Sequence, residues 1–314
     1  MDGGRLRILV TGGAGFIGSH LAQALVRRGH RVRVLDNFAS GVRANLREVA
    51  GDVEVLRGDA ADPAAARRAA RGMEVVYHQA AIPSVARSVD DPAGSHRANA
   101  TATLSLLVAA RDAGVGRFIY ASSSSIYGNT VRLPKTETMP SNPLSPYAVG
   151  KLMGEHYLRV FASLYGMEAV SLRYFNIFGP RQNAGSPYSG VISLFVTALL
   201  AGRTPVLYGD GRQSRDFTYV DNVVAANLGA LRAHGLRGQV VNVATGQRTD
   251  LRTLLRLLAA ALDRPARASH RPSRPGDVRH SVASISRARR LLGYAPRVGL
   301  EAGLRRTVDW YRGA

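Results

Sequence analysis

The chain has 314 residues, 46% of them hydrophobic, enough for a full buried core, and no cysteine, which excludes disulfides, thiolate metal sites and thiol nucleophiles. A formal net charge of +20 raises the question of nucleic-acid binding, yet the arginines fall in scattered pairs such as Arg27-Arg28, Arg67-Arg68, Arg289-Arg290 and Arg305-Arg306 rather than in a stripe. That pattern reads as compositional bias, with a positive field that helps to attract a small anion. The sequence has neither a signal-type apolar region nor a membrane-length segment, so a soluble cytoplasmic protein with no nucleic-acid and no membrane partner is expected.

Residues 5–10 read as a strand, followed by Thr11-Gly12-Gly13-Ala14-Gly15-Phe16-Ile17-Gly18 and an apolar-periodic helix to about Arg28. Strand, glycine turn and helix in that order let the backbone close on a pyrophosphate, whose charge the helix N-terminus meets. A second strand, residues 31–35, leads into Asp36, about 20 residues past the glycines, where an acid hydrogen-bonds a ribose diol and repels a 2′-phosphate. The expected cofactor is therefore NAD rather than NADP. The alternation continues with a strand over Val53–Arg57, Gly58-Asp59, a helix over Pro63–Ala70 and a strand over residues 74–78. Asp59 is either a contact to an adenine edge or a plain loop aspartate. Gln79-Ala80-Ala81 stands at a strand's carboxyl end, where ligands collect in open α/β sheets. His78 is expected to be packed rather than catalytic. Residues 84–88 read as a polar loop and 94–113 as a long helix.

The strand over residues 116–121 runs into Ser122-Ser123-Ser124-Ser125-Ile126-Tyr127-Gly128, and a proline-rich loop over 134–146 then opens a helix at Pro146-Tyr147. Tyr147 and Lys151 are one turn apart on one helix face, so the ammonium is expected beside the phenol, favouring its ionised form. Such a tyrosine can take a proton from an alcohol, and a serine at the strand edge can share that proton. Of 42 Lys+Arg only Lys135 and Lys151 are lysines, and a guanidinium would not replace a compact ammonium here. After a strand over residues 168–172 the regular alternation loosens. Residues 216–244 return to it as strand, helix and strand, while 250–262 and 301–311 read as packing helices.

The glycine loop, the serine-rich strand end, Tyr147-x-x-x-Lys151 and Arg173-Tyr174-Phe175-Asn176, in that order, resemble the extended short-chain dehydrogenase/reductase family over essentially the whole chain. Within it the chain is similar to NAD-dependent nucleotide-sugar 4-epimerases acting on UDP-glucose and UDP-N-acetylglucosamine. That likeness is carried by His78-Gln79-Ala80-Ala81, Ser84-Val85-Ala86-Arg87-Ser88, Arg181-Gln182-Asn183, Gly209-Asp210-Gly211 with Ser214-Arg215-Asp216-Phe217, and Arg274-Pro275-Gly276-Asp277.

The resemblance implies an α/β fold: a Rossmann doubly wound parallel sheet from residues 1–175 with 216–245, and a smaller, discontinuous nucleotide-sugar lobe from 176–215 with 246–314. It implies Ser123, Tyr147 and Lys151 as the catalytic set. The implied NAD contacts are Gly12, Gly15, Phe16, Ile17, Gly18, Asp36, Asn37, Asp59, Ala60, Gln79, Ala80, Ala81, Asn99, Ser122 and Tyr174, with Tyr147 and Lys151. The implied UDP-sugar contacts are Ser84, Arg87, Ser123, Ser124, Ser125, Tyr147, Asn176, Gln182, Tyr188, Val191, Tyr208, Arg215, Arg274, Asp277 and Ser281. Among them Arg215 and Arg274 form a guanidinium clamp on the diphosphate. Ser281 falls where a bulky tyrosine would restrict the hexose pocket and a small residue leaves room for an N-acetyl group. No metal is implied, and a homodimer through the long helices is.

The implied reaction is reversible C4 epimerisation of a UDP-hexose through a 4-keto sugar, with NAD kept bound. A 4,6-dehydratase or decarboxylase needs a carboxylate just after the catalytic serine, where Ser124 and Ser125 stand. Glucuronate-specific relatives tend to have threonine in place of Asn176 and arginine in place of Asn183. An NAD-binding sensor or scaffold without turnover is the reading of another class, and the intact Ser123/Tyr147/Lys151 set argues against it.

Overall fold

The computed structural model describes residues 4–183, 190–272 and 278–313. Six apolar runs become the parallel strands β1 (Arg7–Thr11), β2 (Arg31–Asp36), β3 (Val53–Arg57), β4 (Val75–His78), β5 (Arg117–Ser123) and β6 (Glu168–Tyr174). Four short strands follow, β7 (Ile177–Phe178), β8 (Val206–Tyr208), β9 (Ser214–Arg215) and β10 (Thr218–Tyr219), before β11 (Arg237–Val243) rejoins the main sheet. The order across that seven-stranded sheet is β11-β6-β5-β4-β1-β2-β3, every pair parallel. The order reverses between β1 and β4, and the crevice at their carboxyl ends is where such sheets receive ligands.

Side chains alternate across the sheet. Ile8, Val10, Val75, Tyr77 and Ile119 face one core, and Leu9, Val76, Phe118 and Tyr120 face the other. Both faces are covered, which explains the near-continuous apolar strands. The first core is closed by α1 (Phe16–Val26), α8 (Val220–Arg232) and α10 (Ser286–Leu292), the second by α2 (Pro63–Ala70), α5 (Ala102–Asp112) and α6 (Pro146–Tyr165). A third cluster gathers α7 (Val191–Leu200), α9 (Leu251–Ala261) and α11 (Leu300–Arg312) around Phe178, Leu207, Phe217 and Tyr219.

Caps set the helix that matters most. Ser145 accepts from the Ala148 N–H at 3.2 Å, Pro146 fills the first turn, and Gly166 at φ +67° ends α6.

Two local expectations are corrected. Residues 84–88 belong to a helix, α3 (Val85–Asp90), because the Ser84 hydroxyl accepts from the Arg87 N–H at 3.1 Å and Ser88 donates back to the Val85 carbonyl at 2.6 Å. The long helix over 94–113 is divided into α4 (Pro92–His96), a π-helical turn over Arg97–Thr101, and α5. Among the described residues no helix is long and apolar enough to cross a membrane, and no group of His, Cys, Asp and Glu could hold a metal.

Candidate active site

The chain turns as soon as β1 ends. Gly12 has φ +67°, and a Cβ there would lie 2.7 Å from the Cα and N of Ala80 at the end of β4, so only glycine suits both conformation and approach. A Cβ on Gly18 would lie 2.1 Å from the Gly12 carbonyl oxygen, which lets α1 start tight against the turn. Gly15 begins α1 without a side-chain cap, leaving the first-turn N–H groups, from Phe16 and Ile17 onward, to face an anion.

Asp36 is buried, and its carboxylate accepts from the Ala14 N–H at 2.9 Å and the Phe38 N–H at 2.8 Å. It therefore shapes the glycine turn itself, and each oxygen keeps a lone pair for a ribose hydroxyl. Asn37 turns to the Ala39 N–H at 3.0 Å, while Asp59 accepts from the Ala61 N–H at 2.9 Å and from Arg97 at 3.0 Å, with Ala60 buried beside it. Asn99, buried in the π-helical turn, has an Oδ1 without a hydrogen-bond partner among the described residues. A glycine cradle, an uncapped helix start, an acid at the next strand's end and an orphaned acceptor together fit a dinucleotide such as NAD.

Three expected cofactor residues spend their polar atoms elsewhere. Gln79 and Tyr174 share theirs with each other at 3.2 Å and with Asn227, which Gln79 reaches at 3.3 Å and which donates to the Tyr174 oxygen at 2.9 Å. The Ser122 hydroxyl is buried and donates to Glu155 Oε1 at 2.5 Å, because the alternation of β5 turns it toward α6. His78 is buried as expected: its Nδ1 lies 2.7 Å from Thr11 Oγ1, its Nε2 lies 3.1 Å from Thr103 Oγ1, and the ring stacks on Tyr120. Burial, with the Lys151 charge second, pushes it down to about 3, so it is neutral.

α6 comes close to the sheet because it carries glycines. A Cβ on Gly150 would lie 3.2 Å from the Asn99 Cβ, and one on Gly154 would lie 2.4 Å from the Tyr120 oxygen. Lys151 is thereby buried against β5, with Nζ donating to the Ala121 carbonyl at 2.8 Å, 4.9 Å from the Tyr120 ring centroid and 6.0 Å from that of Tyr147. Ser123 caps a 3-10 turn over Ser124–Tyr127 and accepts from both the N–H (3.2 Å) and the O–H (2.9 Å) of Ser125. Its own proton is left to donate, and the phenol it reaches is that of Tyr147.

Burial pushes Tyr147 above the ordinary phenol value, and the Ser123 hydroxyl draws it part of the way back. Burial pushes Lys151 down to about 7. The expected lowering of the phenol by Lys151 does not appear, because the ammonium points at the Ala121 carbonyl and loss of water dominates both groups. Lys151 therefore loses its proton near pH 7, while Tyr147 holds its own above the ordinary phenol range.

On the substrate side, Ser84 caps α3 and Arg87 lies exposed on it. Asn176, at φ +39°, donates to the Asp216 carbonyl at 3.1 Å. Gln182 donates to the Ile177 carbonyl at 3.3 Å, and its buried Oε1 has no partner among the described residues. Val191 opens α7, and Tyr208 ends β8. Arg215 donates to the carbonyls of Ser214 at 3.0 Å and Arg279 at 3.3 Å, and the Ser281 N–H donates to that same Ser214 carbonyl at 3.0 Å. Tyr188, Arg274 and Asp277 lie outside the described residues. A separate groove of about 540 Å³ beside α9, lined in part by Arg212, Arg252, Arg256 and His270, includes none of the expected site residues.

Sequence reasoning missed the residues that brace this site. Glu155 and Arg173 form a buried ion pair, with nitrogen–oxygen distances of 2.7 and 2.8 Å. The buried Asp216 carboxylate accepts from the N–H and hydroxyl of Thr245 and from the N–H groups of Gly246 and Ala283. A signal was present for the first pair, since a glutamate on the buried face of a helix and an arginine inside an apolar strand need each other.

Residues 8–244 match the model of the NAD dependent epimerase/dehydratase family. The chain is 42% identical to a UDP-glucose 4-epimerase of Mycolicibacterium smegmatis, over 98% of this chain and 99% of that one. It is similar to the structure of a UDP-N-acetylglucosamine 4-epimerase from Methanobrevibacter ruminantium in complex with UDP-N-acetylmuramic acid, with 37% identity, TM-score 0.94 and coverage of 98% and 99%. It is also similar to a UDP-glucose 4-epimerase of Thermus thermophilus in complex with NAD, with 40% identity, TM-score 0.91 and coverage of 98% and 100%. With the cradle, the switch-point crevice and these likenesses in one chain, the protein belongs to the NAD dependent epimerase/dehydratase family, and NAD is its cofactor.

Proposed function

We propose that this enzyme interconverts UDP-hexoses that differ at C4. The observation that carries the reading is the meeting of Ser123, Tyr147 and Lys151 at the carboxyl edge of β5, next to the glycine cradle. NAD, when bound, supplies a reversible acceptor for the C4 hydride. The protein does the rest. Ser123 donates to the Tyr147 oxygen and so supports its phenolate, and Tyr147 takes the 4-hydroxyl proton and later returns it. Arg215, Arg274 and Asp277 hold the nucleotide diphosphate and ribose, Tyr208 and Tyr188 flank the base, and Gln182 Oε1 offers an acceptor to a 2-amide N–H.

Small size at Ser281 supports the N-acetylated pair, UDP-N-acetylglucosamine and UDP-N-acetylgalactosamine, as substrates, with UDP-glucose and UDP-galactose further ones. Glucuronate is disfavoured, because Arg181 turns away to Ser19, Gln23 and Glu48 at 3.3, 3.2 and 2.9 Å, leaving no spare cation from that loop for a sugar carboxylate. Val149, Val160 and Leu164 leave an apolar stripe exposed on the outer side of α6, which supports a homodimer through that helix; sedimentation of Leu164→Glu as a monomer is the expected outcome. The function is tested by incubating the protein with a panel of UDP-sugars without added NAD and separating the products. Interconversion of 4-epimers is expected, and conversion that consumes NAD mole for mole overturns the reading.

A further inference from the structure

The buried ion pair does not touch the proposed reacting groups, yet it joins the two segments that carry them, β5 and α6, to each other and to β6. Arg173 meets Glu155 twice, Nε to Oε1 at 2.8 Å and Nη2 to Oε2 at 2.7 Å, and Ser122 donates to the same Oε1 at 2.5 Å. The guanidinium carbon lies 4.5 Å from the centroid of Tyr127, whose hydroxyl donates to Asn242 at 2.7 Å. Ser122 immediately precedes Ser123. Glu155 lies one turn beyond Lys151 and two beyond Tyr147 on the same face of α6. Arg173, near the end of β6, precedes Asn176 by three residues.

Cohesion alone does not call for charge in this place. Apolar side chains of similar volume often replace a buried ion pair with no loss of stability, whereas breaking one by removing a single partner is costly. What the pair supplies is geometry, because a planar guanidinium fork against a carboxylate fixes distance and orientation together. We propose that Glu155 and Arg173, with Ser122, are positioning residues that hold the end of β5 in register with α6, and so hold Ser123 against Tyr147 and Lys151. The inference rests on the proton-transfer role proposed above for those three.

The test is the double variant Glu155→Met/Arg173→Met of the NAD-loaded enzyme. Positioning predicts a melting temperature within a few degrees of the parent, kcat down about 100-fold, as small misplacements allow, and KM changed less than about threefold. A folded double variant with kcat within threefold of the parent overturns the proposal. Where the double variant does not fold, Ser122→Ala decides: a drop in kcat of about tenfold at unchanged KM supports positioning, and parental kcat overturns it. A second readout needs no turnover. Tyr147 ionisation is followed by ultraviolet difference spectra against Tyr147→Phe, in a site where Ser123, Lys151 and Tyr120 are its neighbours and neutral His78 stacks on Tyr120. Loss of register should move that titration to higher pH in the double variant, because the Ser123 hydroxyl no longer supports the phenolate; an unmoved titration overturns the proposal. A parent that interconverts no UDP-sugar sinks the proposed function instead, and the spectroscopic readout still decides the inference.

Discussion

The chain's two lysines occupy regions that look alike and behave differently. Both are almost fully buried, both donate from Nζ to a main-chain carbonyl, Ala121 for Lys151 and Thr130 for Lys135, and burial lowers both below the ordinary lysine value. Lys151 sits under the body of the sheet, between two phenol rings and next to the donor Ser123. Lys135 lies in a loop nearer the surface. Its N–H donates to the Val282 carbonyl at 2.8 Å, and its own carbonyl accepts from Ser284 at 2.9 Å and Asn242 at 3.0 Å. It ties that loop to the segment that carries Ser281. The Lys151 ammonium thus lies among the groups proposed for proton transfer, whereas at Lys135 it is the main chain that ties the loop to the Ser281 segment, and the ammonium only closes on Thr130.

The comparison can be broken most decisively at the phenol. Tyr147→Phe keeps the ring and loses the base, so kcat should fall by about 10³-fold with little change in melting temperature. Wild-type turnover by that protein would remove Tyr147 from the mechanism.

Lys151→Met comes next, with kcat down about 100-fold and, at pH 7, a more stable protein. A lysine held at about 7 in the fold against an unfolded value near 10.5 binds fewer protons folded than unfolded between those limits. Parent stability therefore rises with pH across that window, by an amount on the order of a few kcal/mol, and the Met variant should lack the rise. In the parent a break in the pH–rate profile is expected at about pH 7, where Lys151 titrates, and the variant should lack it. Urea titrations at several pH values and a pH–rate profile check both statements.

Ser281→Tyr should reduce kcat/KM for UDP-N-acetylglucosamine by at least about tenfold while sparing UDP-glucose, since a phenol fills the space that the acetyl group needs. Equal turnover of the N-acetylated sugar by parent and variant would remove the main support for the sugar assignment.

The smallest effect is expected at the other lysine. Lys135→Met should leave kcat on UDP-glucose within about twofold and shift the preference between the N-acetylated and plain sugars by only a few-fold, through Ser281. A Lys135→Met protein as impaired in kcat as Lys151→Met would erase the distinction between the two regions.

The central strands of the sheet were legible because parallel strands buried on both faces leave near-continuous apolar runs, β2 and β3 by their alternation, and α6 because proline opens it. α3 was not, since a six-residue helix held by Ser84 and Ser88 leaves no periodicity to read. Nor was the direction of the Lys151 ammonium. It is set by how closely Gly154 lets α6 approach Tyr120, a contact between residues far apart in the chain. The placing of α10 against α8 and β11 in the first core, with Leu292 carbonyl 2.5 Å from where a Cβ on Gly229 would stand, is likewise a tertiary fact without a local signal.

The histidine at the end of β4 has one more consequence. Thr103 has a single hydroxyl proton and gives it to the Asn99 carbonyl at 2.6 Å, so the imidazole must donate to Thr103 through Nε2. Its Nδ1 then accepts from Thr11, whose oxygen in turn receives the Ala80 N–H at 3.3 Å. Every hydrogen in this row points one way, and the ring is locked in a single tautomer. The floor of the crevice therefore presents a permanent dipole instead of a titrating charge, and a kinetic break near neutrality is assigned to Lys151, not to the imidazole.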